Sequence, residues 1–531
     1  MRPEDLLRGV SLHAPATGKG SFSWSTFACA FPYHDPMITG KGTMRRSQKI
    51  LITAASAIIA ITALPALPTA ATADPAPPNS PAATPSQMPS GTPDEVEITT
   101  GFTTDPKWVN NPGSIVSELK KGKTFAQLGL DTSTPKKITP VTPQQSQKLA
   151  KSSGQSYTAK ADDYDQPTLA APPYDYISLE ECRANTELSG RPEGWIKNHF
   201  AYCAMGVTFA GARIRWGPIW WPAGSVEARV TLIGYGKAEP RPGSTTDRFV
   251  DFKMFIDQVK PDGRWWRPDS TLEVEMECGG WPTASACQVG RNGREAPVTE
   301  WMDNGEAEFE LFSPAAPADA SAGEQKAIGV FRPTFDWEMP GARISPDEAK
   351  GSESGVRFDS AWYLPRKQGA IFDRTNPRID FALDSEYREN TEHVDQALHR
   401  PGETKPFKEG KKLPGGSPEN PLHRLYQGIS PEHATRYNRN NTIARATCDR
   451  EFPGWNSEPG KLQCDEYPFR STYEGAARDE YEGGDEHKYL NDFSVKPILS
   501  DHNSKAGTRL GVWYGADRIL NGDHFFVRIT P

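Results

Sequence analysis

Cys464-Asp465-Glu466-Tyr467-Pro468-Phe469, followed by Ser471-Thr472-Tyr473-Glu474-Gly475, sets two adjacent carboxylates beside a cysteine and a proline, with a third carboxylate at Glu474. Carboxylates gathered among aromatics are costly to desolvate together, so such a cluster near a core implies a cation or a proton for it to handle. Downstream, Ile498-Leu499-Ser500-Asp501-His502-Asn503 leads into Ser504, which is placed to cap a short helix running to about Tyr514 with Leu510 and Trp513 inward. Two of these residues also have plainer readings. Asp465 fits a turn in which it bonds backbone N–H groups, and Asn503 fits a helix cap.

The elements around them are legible in outline. Ser430-Pro431-Glu432-His433 is a helix start, with serine as N-cap, proline at the first helical position and acid in the first turn. That helix is expected to reach about Cys448 and to carry Arg436, Arg439 and Arg445, either as a solvated face or as one that meets phosphates. A Cys448–Cys464 disulfide would pin its end to the acidic run. Asn521-Gly522 predicts a hairpin turn into a last strand, where Phe525, Val527 and Ile529 alternate with His524, Phe526 and Arg528. The acidic stretch Asp479–Glu486 would repel a polyanion, so it reads as a solvated loop, calcium binding being the other reading.

Several of these blocks, in order, resemble the NucA/NucB family of secreted deoxyribonucleases: Pro421-Leu422-His423-Arg424-Leu425, the Cys464–Gly475 run, Asn503-Ser504-Lys505-Ala506-Gly507, and Ile519-Leu520-Asn521-Gly522-Asp523 with the final strand. The resemblance covers residues 421–531, about a fifth of the chain. It implies a divalent-metal-dependent endonuclease that cleaves DNA with little sequence preference, built on a small α+β domain resembling a ββα-metal, HNH-like core. Phosphodiester hydrolysis needs a base, a charge-absorbing cation and cationic side chains on the phosphate. On that resemblance Asp465 is expected as the base with Glu466 second, and Arg470 and Lys505 as holders of the scissile phosphate, with Arg436 a further phosphate contact. Asn503 is expected to ligate the metal and Glu474 to stand near it, directly or through water. Oxygen ligands suit Mg²⁺ or Mn²⁺. His502 departs from the family's pattern, as a bystander or an auxiliary ligand.

The rest of the chain bears on compartment and organisation. Met44-Arg45-Arg46-Ser47-Gln48-Lys49, an apolar run from Ile50 to about Leu64, and Ala71-Thr72-Ala73 before Asp74 form an export-signal pattern over residues 44–73. The apolar run is shorter than the roughly 20 residues that span a bilayer, so the mature protein is expected to be extracellular without an integral membrane segment. Residues 1–43 read as an over-extended start. Beyond the signal six cysteines remain, and the simplest pairing joins sequence neighbours: Cys182–Cys203, Cys278–Cys287 and Cys448–Cys464. A net charge of −8 argues against bulk electrostatic coating of nucleic acid, though not against a local basic groove.

Residues 74–170 read as a low-complexity, poorly ordered spacer. Residues 174–388 read as a β-rich, sandwich-like accessory domain, because period-two sets such as Val226–Leu232, Leu272–Cys278, Ala307–Leu311 and Val356–Leu364 recur between turn residues. Its tryptophans 216, 220, 221, 265 and 266 are expected mainly as core, the other reading being a stacking platform for a glycan. Residues 389–420, charged and Gly/Pro-rich, read as a linker before the 421–531 domain. Two other functions compete with a secreted nuclease: a cell-wall or glycan-binding protein with an inactive nuclease-like module, and a toxin-like nuclease effector.

Overall fold

Leu272, Val274 and Met276 are buried along the strand Thr271–Trp281, and Ala307, Phe309 and Leu311 along Glu306–Phe312, as their alternation predicts. The computed structural model describes residues 93–133, 136–165, 174–239, 241, 246–314, 323–341 and 348–531. The start extension, the export signal and the spacer up to residue 92 lie outside the described residues. Two antiparallel sheets dominate. One runs Glu95–Thr103, Ala201–Trp216, Ile219–Gly236, Phe249–Pro261, Glu306–Phe312, Gln288–Arg291; the other runs Gln368–Phe372, Ser354–Ala361, Glu324–Glu338, Thr271–Trp281, Arg294–Pro297. Their inner faces share one apolar core, in which Phe252 of the first sheet meets Phe331 of the second at 5.0 Å between ring centroids. Trp265 is fully buried in that core. Trp216, Trp220 and Trp221 are half-buried, and Trp266 is 53% exposed.

The C-terminal region adds three longer helices, Arg388–His399 (the connecting helix), Pro431–Glu451 (the long helix) and Ser500–Ala516 (the closing helix), and the short helix Arg478–Glu482. A strand pair joins Leu462–Tyr467, the acidic strand, to Ser494–Leu499. The final strand, His524–Thr530, lies between Leu422–His423 and Asn376–Ala382, and the last of these pairs in parallel with Ser156–Lys160. Residues from far upstream therefore build the sheet that carries the C-terminus. Asn521-Gly522 does turn the chain, with Gly522 at φ +76°, but it joins the closing helix to that strand and makes no hairpin.

Two segments are more ordered than their composition suggests. Within 389–420, read above as a linker, the connecting helix buries Val394 and Ala397 against Tyr467 and Phe469. Lys411 is also buried there; its ammonium donates to Thr404 Oγ1 at 3.1 Å and Phe493 O at 2.9 Å, and burial pushes its pKa down to about 8. Within 93–165 the few apolar residues suffice, since Ile115 and Val116 are buried and Glu95–Thr103 pairs along Ala201–Trp216. Backbone pairing holds that strand, and composition does not report it.

The strand Ser354–Ala361 is buried on both faces. Val356 and Phe358 face the apolar core, whereas Arg357 and Asp359 meet the C-terminal region. Arg357 Nη1 lies 2.5 Å from Asp523 Oδ2, Lys326 Nζ lies 2.8 Å from Asp523 Oδ1, and Arg518 pairs with Asp359. Three disulfides bridge Cys182–Cys203, Cys278–Cys287 and Cys448–Cys464, the pairing expected from sequence proximity. Among the described residues no helix is long and apolar enough to cross a membrane.

Candidate active site

Asp465 and Glu466 are consecutive on the acidic strand, so their side chains leave it on opposite faces. Cys464, on the Glu466 face, is bonded to Cys448 in the last turns of the long helix, which fixes the strand against that helix. On the other face Asp465, only 4% exposed, turns toward the connecting helix. Asn390 Nδ2 donates to both of its carboxylate oxygens at 3.1 Å, and His393 Nδ1 lies 2.7 Å from Oδ2.

Asp465, Glu466, Arg470 and Asn503 all line one cavity of about 630 Å³. Its walls include Tyr437, Asn441 and Arg445 of the long helix, and Asn503, Ala506 and Leu510 of the closing helix. Burial, and then the charge of Asp465, push the Glu466 carboxyl up to about 8, against a smaller opposing pull from Arg470. A carboxyl held so high is mostly neutral near physiological pH, and a bound cation would restore its charge. The Arg470 guanidinium stacks 4.2 Å from the Tyr437 ring and donates to Asn438 Oδ1 at 2.9 Å, both uncharged partners. Arg445 has no carboxylate partner among the described residues. The cavity thus combines two acids and several amides with Arg470 and Arg445.

Asn503 is inside the helix and does not cap it, because the closing helix begins at Ser500. Its Nδ2 donates to Gln463 Oε1 at 2.9 Å, tying it to the acidic strand. His502 Nδ1 accepts a 3.3 Å bond from the Glu389 backbone N–H.

Three other expected site residues are placed elsewhere. Glu474 is buried, its oxygens engaged by His423 through the backbone N–H (2.9 Å) and ring Nδ1 (2.8 Å), and it is not part of the cavity lining. Arg436 sits between the Tyr473 and Tyr481 rings, donating to the Tyr473 carbonyl and pairing with Glu482 at 2.5 Å. Lys505 pairs with Glu386 and Asp501, each at 2.8 Å. The acidic stretch beginning at Asp479 accounts for part of this. Glu482 and Glu480 neutralise Arg436 and Arg439, while Asp479 accepts from the Tyr489 N–H.

The residues that sequence reasoning missed are Asn390 and His393, which lie in the supposed linker. Their only signal is the helical spacing of Val394, Ala397 and Leu398 among charged neighbours. Among the described residues no group of three or more His, Cys, Asp or Glu is arranged to hold a metal ion. Mg²⁺ and Mn²⁺ do not demand such a cage, since Mg²⁺ usually binds through one or two carboxylates and keeps several waters. The Glu466 carboxyl and the Asn503 amide, both of which line this cavity, are oxygen donors that fit a hydrated hard cation.

No curated protein matches the chain. A search of solved structures returned a "Pore forming protein" at 7% identity and a TM-score of 0.08, covering 32% of this chain and 94% of that one, a likeness too slight to inform the fold. Residues 420–528, which carry the acidic strand, the closing helix and most of the cavity, match the family model described as Deoxyribonuclease NucA/NucB, so this C-terminal segment is a domain of the NucA/NucB type.

Proposed function

We propose that the protein is a secreted, metal-dependent endonuclease that hydrolyses DNA phosphodiester bonds with little sequence preference. The observation that carries this reading is the convergence of Asp465, Glu466, Asn503 and Arg470 on one cavity within the matched segment. Asp465, held by two side chains, deprotonates the attacking water. Arg470 and Arg445 bind the phosphate oxygens and stabilise their growing charge. Glu466 and Asn503 would hold Mg²⁺ or Mn²⁺, which when bound would supply charge neutralisation at the phosphate. We leave Glu474, Lys505 and Arg436 out of this set because their polar groups are engaged by other residues. The succession of two antiparallel strands and a helix, Leu462–Tyr467, Ser494–Leu499 and Ser500–Ala516, supports a ββα-metal arrangement. Export is supported by the signal pattern in the sequence and by the three disulfides, which form in oxidising compartments.

Purified full-length protein incubated with supercoiled plasmid in Mg²⁺ or Mn²⁺ tests the reading. Nicking is expected, with loss in EDTA and a fall on the order of 10²-fold or more in Asn503→Ala. Nicking that persists in EDTA and in Asn503→Ala overturns the metal-dependent mechanism.

A further inference from the structure

The connecting helix lies outside the segment that matches the nuclease family, yet it presents two side chains to Asp465. Asn390 and His393 are one helical turn apart, so they share a face. Asn390 is 3% exposed and His393 1%. The imidazole is held at both nitrogens, 2.7 Å from Asp465 Oδ2 and 2.7 Å from Ser494 Oγ on the neighbouring strand. The helix is itself anchored, for Glu389 Oε2 accepts the Leu499 N–H at 2.7 Å and Val394 is fully buried.

A carboxylate offers about four lone-pair sites. The contacts from Asn390 and His393 use up to three of them and leave a site from which a water can be deprotonated. We infer that Asn390 and His393 are positioning residues for Asp465, so that the site is completed by a helix from outside the nuclease segment. The inference rests on Asp465 as the base. It gives the upstream part of the chain an indirect part in catalysis, through Asp465: a carboxylate released from this helix gains rotamers and loses its aim at the water.

The test uses the full chain and steady-state plasmid nicking in Mg²⁺. Asn390→Ala and His393→Ala should each lower kcat roughly 10- to 100-fold, the range for disturbing a group that orients a reacting one, with KM for DNA unchanged. His393→Gln, which keeps a side-chain N–H, should recover part of the loss. In an Asp465→Ala background neither change should lower the rate further, because both act through that carboxylate. If Asp465→Ala is inactive while Asn390→Ala and His393→Ala keep wild-type kcat, the positioning role is overturned and the base stands. Losses that persist in the Asp465→Ala background overturn it as well. Wild-type activity in Asp465→Ala removes the base, and the inference with it. Should His393→Ala fail to fold, Asn390→Ala decides alone, since alanine is the better helix former at that position.

Discussion

Asn503 Nδ2 donates to Gln463 Oε1 at 2.9 Å, joining the first turn of the closing helix to the acidic strand two residues before Asp465. Gln463 and Asp465 share one face of that strand, so the bond fixes the amide proposed to hold the cation relative to Asp465, the proposed base. Gln463→Ala should raise the Mg²⁺ concentration for half-maximal nicking roughly 10-fold, with the rate at saturating Mg²⁺ close to wild type. A Mg²⁺ titration of nicking measures this; an unchanged midpoint would remove Asn503 from the metal site.

Glu466 makes stability depend on pH in a stated direction. Its folded pKa, about 8, is above the ordinary glutamate value, so the native state holds a proton that the unfolded chain releases. Stability from this group is complete below the ordinary value and is lost as pH rises toward about 8. Without divalent cation, the thermal midpoint should therefore fall between about pH 5 and 8, and Glu466→Gln should flatten that slope. Thermal scans in EDTA across this range provide the comparison.

The pairing of Arg357 and Lys326 with Asp523 binds the strands Ser354–Ala361 and Glu324–Glu338 to the turn before the final strand. All three side chains are largely or wholly buried, and desolvated partners left alone are costly. Asp523→Ala should destabilise the protein by about 3–5 kcal/mol in chemical denaturation. A loss below about 1 kcal/mol, the scale of an exposed pair, would show that the network is solvated.

Residues 421–531 expressed alone should not fold cooperatively. Such a fragment lacks Asn376–Ala382, the parallel neighbour of the final strand, and lacks the connecting helix that covers Tyr467 and Phe469. Its His524–Thr530 strand would expose an unpaired edge. Circular dichroism should show no sigmoidal thermal transition, and a folded, active fragment would contradict the shared sheet.

What could be read from the sequence follows from which signals are local. The long helix announces itself through Ser430 and Pro431, and Ser430 indeed accepts the His433 N–H. Cys448 and Cys464 are near enough in sequence to suggest their bond. The strands of the central region follow from alternating apolar residues, and the acidic pair stands out by composition. The partners of these residues were hidden because they depend on contacts remote in sequence. Asn390 is 75 residues from Asp465, and its helix has too few apolar positions to stand out among charged ones. The ion pair of Arg436 was hidden for a similar reason: its partner Glu482 belongs to a stretch that reads as solvated until it packs back onto the long helix. Ser156–Lys160 has little apolar content, and its place in the sheet comes from backbone pairing with Asn376–Ala382.

The most direct test is single-turnover nicking of supercoiled plasmid by the full chain carrying Asp465→Asn, a change that preserves side-chain shape while removing the charge. Wild-type protein should nick in Mg²⁺ or Mn²⁺, and the variant should be slower by on the order of 10²-fold or more while binding DNA as tightly. Equal rates for the two proteins, or no nicking by wild type with either cation, would contradict the assignment of this cavity as a nuclease active site.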